Sequence, residues 1–307
     1  MNEAILATNK LSKRYGENWV LMPTDLELRK GQVLGLVGRN GAGKTTLLRL
    51  ITGQTRPTEG ELSLFGSTSE ADLCRARRRT GAIVEAPCFY ANLSAADNLE
   101  YYRIQRGIPD KGRISQILYQ VGLSAAEKKK YKNFSLGMKQ RLGIALALLS
   151  SPDLLILDEP LNGLDPMGIA EMRRLLLQLN QEKNISILIS SHILTELSTV
   201  ATDYAFLDKG NLMERISAAD LHRKCRRYLE VQVDNPEKAA ALLEQKLSCR
   251  EYEVLPQGIL HIHSYLDQPG EVSRLLTGEG ITLLSMEVKD TQLEEYFISL
   301  VGGERNA

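Results

Sequence analysis

Nine consecutive residues, Gly38-Arg39-Asn40-Gly41-Ala42-Gly43-Lys44-Thr45-Thr46, have the types and the spacing to hold a polyphosphate, in the pattern G-x-x-x-x-G-K-T. Glycines let backbone N–H groups turn inward around phosphate oxygens, and a helix opening at the end of the loop adds the positive end of its dipole. Lys44 supplies a point charge for the β- and γ-phosphates, and the Thr45 hydroxyl is an oxygen ligand for Mg²⁺. This chemistry requires a strand before the loop and a helix after it. Both are legible. Val33-Leu34-Gly35-Leu36-Val37 reads as a buried strand, and Leu47, Leu48, Leu50 and Ile51 put an apolar face on a helix that Gly53 stops. The chain is expected to bind a nucleoside triphosphate.

Two further groups bear on what happens to such a ligand. Leu154-Leu155-Ile156-Leu157, bounded by Pro152 and Pro160, predicts a central parallel strand that ends in Asp158 and Glu159 at the nucleotide crevice. One of these carboxylates can hold Mg²⁺, usually through water. The other, expected to point oppositely along the strand, can polarise an attacking water. In Phe134-Ser135-Leu136-Gly137-Met138-Lys139-Gln140-Arg141, Ser135 is a natural N-cap for an apolar-faced helix running to Leu149. The free N–H groups at such a helix start, beside a hydroxyl and a glycine, make a second anion site.

The elements that must position these residues follow from the pattern on either side. Residues 5–11, 21–28, 33–37 and 61–65 read as short strands joined by Gly and Pro turns, an antiparallel sheet beside the loop. Residues 97–149 are helical in period. A helix from Pro166 to about Leu179 and a strand over residues 185–189 follow the carboxylate strand in βαβ fashion. A strand over residues 204–207 closes with the turn Asp208-Lys209-Gly210-Asn211. After about Ser217 the order becomes β-α-β-β-α-β, with strands at 229–233, 251–255, 259–263 and 281–288 and helices at 236–247, 270–276 and 291–300, a split βαβ arrangement. The division expected is residues 1–216 and 217–307, with a helical subdomain at about 88–150.

Composition narrows the partners. The 307 residues carry 38 acidic and 38 basic side chains, so no global field favours nucleic acid or an anionic membrane, and no nucleic-acid partner is expected. The basic runs at 75–79 and 128–132 read as solvated faces. Four scattered cysteines suit reduced thiols, and neither a signal-peptide profile nor an apolar run of membrane length is present. The expectation is a cytoplasmic protein, peripheral on the inner face of the membrane only through a partner. His261 and His263 share a strand face without further ligands and read as packing or surface residues rather than a metal site.

Taken together, these motifs resemble the ABC-type ATPase subunits over residues 6–216, in the right order and spacing. The loop at 38–46 is similar to that family's G-x-N-G-A-G-K-T-T. Residues 134–141 fall at its signature, residues 154–159 at its Walker B strand, Leu161-Asn162-Gly163-Leu164-Asp165 at its D-loop, and His192 at its switch histidine. The resemblance implies an α/β P-loop (RecA-like) core with an antiparallel β subdomain and a helical subdomain, to which the chain adds a small C-terminal α+β domain. It implies that Tyr15 stacks on adenine and that ATP and Mg²⁺ are the cofactors. Two copies would meet head to tail in an ATP-dependent homodimer. Ser135, Gly137 and Asp165 would then reach the ATP held by Gly38, Arg39, Asn40, Gly41, Ala42, Gly43, Lys44, Thr45 and Thr46 of the other copy. Thr45 and Asp158 would serve the metal, Glu159 would act as general base, and His192 would contact the γ-phosphate.

Two departures are specific to this chain. Glu85 stands where most of that family has a Gln that touches the metal and relays its state, so Glu85 is expected to take both the metal and the catalytic relay. Leu136 and Met138 replace Gly and Gln in the signature. Met138 cannot donate the amide hydrogen bonds of Gln, so weaker ribose contacts are expected. Glu85, Pro87-Cys88-Phe89-Tyr90 and Ser-Leu-Gly-Met-Lys-Gln-Arg together resemble the ATPases of bacitracin-resistance and lantibiotic-immunity exporters. That resemblance implies a separate transmembrane permease docking at residues 86–98, and a peptide antibiotic as cargo. The competing readings are an efflux ATPase for another substrate, a soluble ABC-type switch in translation or DNA metabolism, and a phosphoryl-transfer kinase. A single nucleotide domain and zero net charge disfavour the switch, and the signature with His192 disfavours the kinase.

Overall fold

Strand β1 (Ala4–Tyr15) organises the first part of the chain, because its two halves pair with different neighbours. Its beginning runs antiparallel to β3 (Glu27–Arg29), and its end antiparallel to β2 (Asn18–Thr24). The expected single strand over 21–28 is therefore two strands. The Thr8 hydroxyl donates to Thr24 O at 2.8 Å and accepts from Leu26 N at 2.8 Å, while Asp25 accepts from Lys10 N at 2.6 Å. Side-chain oxygens thus replace ladder bonds where the chain changes partner. The coordinates, a computed structural model, describe residues 4–85, 87–225, 227–289 and 293–302, and the chain divides into two units, 1–218 and 219–307.

Strand β4 (Val33–Gly38) is buried at all six positions and feeds the loop and helix α1 (Lys44–Thr52). Leu47, Leu48, Leu50 and Ile51 of α1 pack with Leu6, Leu28 and with Leu62 and Leu64 of β5 (Glu59–Leu64), so one apolar core joins the antiparallel sheet to the nucleotide layer. Helix α2 (Glu70–Ala76), unforeseen from the sequence, leads to β6 (Thr80–Ile83). The basic run between them is not simply solvated, contrary to the sequence reading. Arg77 Nε donates to Ile51 O at 3.2 Å, and Arg79 lies 4.0 Å over the Phe65 ring while bonding Asp153 at 2.7 Å. Their long apolar stems cover neighbouring surface while the charged heads find acceptors.

Three helices follow: α3 (Ala95–Gln105), α4 (Arg113–Gln120) and α5 (Leu136–Leu148). Helix α5 is held at its far end by Arg106 Nη1 on Leu146 O at 2.9 Å and by Arg113 on Leu148 O and Leu149 O, both at 3.1 Å. Cationic donors there satisfy carbonyls that the helix itself leaves open and oppose its dipole. The chain returns through β7 (Leu154–Leu157), α6 (Pro166–Gln181), β8 (Ser186–Ser191), α7 (Leu194–Leu197), β9 (Asp203–Asp208) and β10 (Asn211–Ser217). The sheet order is β10-β9-β4-β8-β7-β6, parallel except for the β9–β10 hairpin. Strands β4, β7 and β8 are flanked on both sides, which is why they read as continuous apolar runs.

Helix α8 (Ala218–Lys224), also unforeseen, precedes β11 (Tyr228–Val233), α9 (Pro236–Leu247), β12 (Tyr252–Leu255), β13 (Ile259–Ile262), α10 (Pro269–Gly278), β14 (Leu283–Lys289) and α11 (Leu293–Gly302). The four strands form an antiparallel sheet in the order β12-β13-β11-β14, the arrangement expected for a split βαβ domain. Leu229, Val231 and Val233 alternate into a core with Ala239, Leu243, Val272 and Leu276. Thr291, where the sequence reading starts the closing helix, and Ala86, in the expected docking segment, lie outside the described residues.

Candidate nucleotide site

Backbone geometry sets the loop before any side chain acts. Gly43 has φ 104°, and a Cβ there would come within 2.8 Å of Val20 O. At Gly38 a Cβ would meet Leu207 O at 2.4 Å. Only glycine allows these approaches. A cleft of about 330 Å³ lies over the loop, lined by Val20, Glu159 and Asn40, Gly41, Ala42, Gly43, Lys44, Thr45 and Thr46. Gly38 and Arg39 contribute carbonyls instead. Lys44, only 5% exposed, donates to Gly38 O at 2.6 Å and to Arg39 O at 3.3 Å.

The carboxylates meet this loop from β7. Thr45 Oγ1 donates to Asp158 Oδ2 at 2.9 Å, and Ser190 Oγ donates to Asp158 Oδ1 at 2.6 Å. Ser190 Oγ in turn accepts from Glu159 N at 2.9 Å. Glu159 Oε1 lies 3.2 Å from Lys44 Nζ, and Oε2 lies 2.9 Å from His192 Nδ1 and 3.3 Å from Asn162 Nδ2. The two carboxylates do not point oppositely, as strand alternation implied. Glu159 lies just past β7 with φ 45°, and that left-handed turn swings its side chain back toward the loop. Asp158 and Glu159 consequently engage the adjacent residues Thr45 and Lys44.

A second cleft of about 350 Å³ adjoins the first and is lined by Thr45, Asp158 and Glu159 together with Glu85, Leu136 and Lys139, among others. Glu85 also has a left-handed backbone, φ 68°, and its carboxylate is ion-paired with Arg49, whereas the Thr45 hydroxyl bonds Asp158. Asn162, Ser190 and Arg49 were not singled out as site residues in the sequence. For Ser190 a signal existed, since β8 ends in serines although all six of its residues are buried. For Arg49 there was none beyond its place four residues after Thr45.

The remaining sequence candidates lie elsewhere in the unit. Tyr15 ends β1, 49% exposed, with Lys13 Nζ 4.9 Å from its ring centre. Ser135 caps α5, accepting from Met138 N at 3.3 Å, and Asp165 caps α6, accepting from Gly168 N at 2.9 Å. A Cβ on Gly137 would lie 3.6 Å from Leu164, so the signature and the 161–165 loop pack together. Among the described residues, none of Tyr15, Ser135, Gly137 and Asp165 lines the cleft over Lys44 of its own chain.

The sequence profile of the family described as ABC transporter matches residues 21–162. The bacitracin transport ATP-binding protein BcrA of Bacillus licheniformis is 44% identical over 299 residues, covering 97% of this chain and 98% of that protein. The lantibiotic transport ATP-binding protein SrtF of Streptococcus pyogenes is 42% identical over 210 residues, covering 68% of this chain and 89% of that protein. Among solved structures, the fold is similar to a dimeric post-hydrolysis state of the ATP-binding cassette MJ0796 bound to ADP and phosphate. The TM-score is 0.63 at 23% identity, over 69% of this chain and 98% of that one.

Proposed function

The chain belongs to the ABC transporter family as an ATP-binding, ATP-hydrolysing subunit, and from that premise we propose that it drives a separate transmembrane permease exporting a peptide antibiotic of the bacitracin or lantibiotic type. The observation that carries the cargo is the 44% identity with a bacitracin transport subunit along 97% of the chain, which includes the C-terminal unit outside the family profile. Among the described residues no helix is long and apolar enough to cross a membrane. In this reading a separate permease spans the membrane and holds the subunit at the cytoplasmic face. The docking surface is residues 86–98, of which Tyr90 and Leu93 are exposed.

The chemistry rests on the cluster at Lys44. Thr45 and Asp158 present hard oxygens 2.9 Å apart, a donor set that fits Mg²⁺. When bound there, the ion would neutralise charge on the β- and γ-phosphates. ATP entering the loop takes Lys44 as a hydrogen-bond donor to its phosphate oxygens, which frees Glu159 from its ion pair. Glu159 then accepts a proton from water as the water oxygen bonds the γ-phosphorus. The bridging P–O bond breaks, and its electron pair leaves with ADP. His192, on the other oxygen of Glu159, would contact the γ-phosphate. Ser135, Gly137 and Asp165 are offered to a second copy, whose ATP they complete head to tail.

Drug-susceptibility profiling of cells with and without this chain and its neighbouring membrane subunit tests the reading. Selective sensitivity to bacitracin or a lantibiotic on deletion is expected. Unchanged susceptibility to both, or co-purification with ribosomes or DNA in place of a membrane protein, overturns it.

A further inference from the structure

The cleft beside the phosphate loop has a charge problem. Glu85, Asp158 and Glu159 all line it, yet the ligand it must accept is itself a polyanion. Lys139 also lines it, and Lys44 reaches it only through Glu159. Asp158 is satisfied by the Thr45 and Ser190 hydroxyls, and Glu159 by Lys44 and His192. Glu85 is different. Its side chain is 64% exposed, its backbone is left-handed, and the partner that structure gives it is the Arg49 guanidinium.

Arg49 stands one helical turn beyond Thr45 on α1, so the two side chains leave the same face of the helix. Glu85 follows β6, whose Ile83 O accepts from Asp158 N at 2.9 Å. The pair therefore ties the helix that opens the phosphate loop to the segment just after the strand next to the Asp158 strand. We infer that Arg49 is a positioning residue: it holds and neutralises Glu85 beside the nucleotide cleft, so that a carboxylate can occupy this position without repelling the triphosphate. This rests on the ATP-binding reading above and extends it to a residue outside the phosphate loop.

Neutralising a carboxylate by an adjacent guanidinium has a signature that a purely structural arginine lacks: the effect of removing Arg49 depends on whether residue 85 is charged. Binding of β,γ-imido-ATP to the full chain, with and without Mg²⁺, is measured by calorimetry for wild type, Arg49→Ala, Arg49→Lys, Glu85→Gln and the double variant Arg49→Ala/Glu85→Gln. Arg49→Ala is expected to weaken binding about fivefold to tenfold at low salt and less at high salt, as charge repulsion at a part-exposed site is screened. The double variant is expected to bind within about twofold of Glu85→Gln alone, and Arg49→Lys to stay near wild type. An equal loss in both backgrounds, or no loss from Arg49→Ala, overturns the inference. A wild-type chain that fails to bind the analogue overturns the nucleotide reading itself, which is a separate result.

Discussion

Lys44 Nζ lies 3.2 Å from Glu159 Oε1, so the group proposed to grip phosphate and the group proposed to activate water hold one another. The lysine is nearly buried and the glutamate side chain is 22% exposed, so the contact is more than a surface pair but is still reached by water. In the proposed cycle it is a placeholder. A γ-phosphate would bring negative charge to the same ammonium, and the carboxylate would be released to take a proton from the attacking water.

Glu159→Gln separates these two roles. The amide keeps the shape and removes both the negative charge facing Lys44 and the capacity to take a proton. ATP binding should be retained or tightened while turnover falls by about 10²-fold or more, the scale of a lost general base. The ATP-bound variant should accumulate as a dimer. Steady-state hydrolysis and size-exclusion with ATP check this, and wild-type turnover would remove Glu159 from the base role.

Arg113 and Arg106 make a different statement, about the signature helix rather than the chemistry. Arg113→Ala strips donors from Leu148 O and Leu149 O at the end of α5. A loss of about 1–2 kcal/mol is expected for charged hydrogen bonds of this kind. Arg106 bonds a different carbonyl, Leu146 O, so it does not replace the donors lost from Leu148 O and Leu149 O. Denaturant unfolding measures the change. A shift under about 0.3 kcal/mol would show that water replaces the arginine fully.

The C-terminal unit should carry its own acid sensitivity. Lys289 donates to Glu230 at 2.7 Å and, with His261 Nε2 3.1 Å away, holds that carboxyl below the usual range. A depressed carboxyl stabilises the fold fully above the unfolded value of about 4.3 and ceases to as pH falls through the folded value beneath it. Glu230 is partly exposed, so the contribution is well under about 1 kcal/mol. Protection factors of β11 and β13 amides, with the intrinsic pH dependence of exchange divided out, should fall below about pH 4, and Glu230→Gln should flatten that dependence. An unchanged profile in the variant would assign the acid response to other groups.

How far the sequence reached depends on what each feature needs. Buried parallel strands such as β4 and β7 announce themselves because both faces must be apolar, and the phosphate loop because glycine spacing has no other use there. The break between β2 and β3 was hidden, since it depends on the Thr8 hydroxyl, 16 residues from its acceptor Thr24. Helix α2 was hidden by its short length and charged face. The direction of Glu159 was misread because alternation along a strand was extended two residues past the strand's end. Arg49 was illegible for the simplest reason: its meaning comes from Glu85, 36 residues away.

Asn98 gives the sharpest separation between chemistry and coupling. It is fully buried at the fourth residue of α3 and binds the preceding segment by four hydrogen bonds. Its Oδ1 accepts from Tyr90 N at 2.8 Å, and its Nδ2 donates to Ser94 O at 2.9 Å, Tyr90 O at 3.1 Å and Leu93 O at 3.4 Å. This one side chain fixes the course of the segment proposed to receive the permease, where Phe89 packs against Tyr102 and Tyr131. Asn98→Ala leaves Tyr90 N without its acceptor, while the carbonyls of Tyr90, Leu93 and Ser94 keep the backbone donors Leu93 N, Tyr131 N and residue 98 N; the cost of the stranded donor is about 1–3 kcal/mol. Asn98→Asp is the more telling variant. It keeps the acceptor for Tyr90 N but turns an oxygen toward three carbonyls, so repulsion replaces donation. Neither change touches Lys44, Asp158 or Glu159, so basal ATP hydrolysis by the isolated subunit should stay within about twofold if the chain remains folded. Stimulation by the permease, and antibiotic resistance in cells, should fall at least about tenfold, since a docking loop displaced by an ångström no longer matches its partner. Loss of basal hydrolysis in parallel with resistance would instead mean that this segment belongs to the catalytic unit.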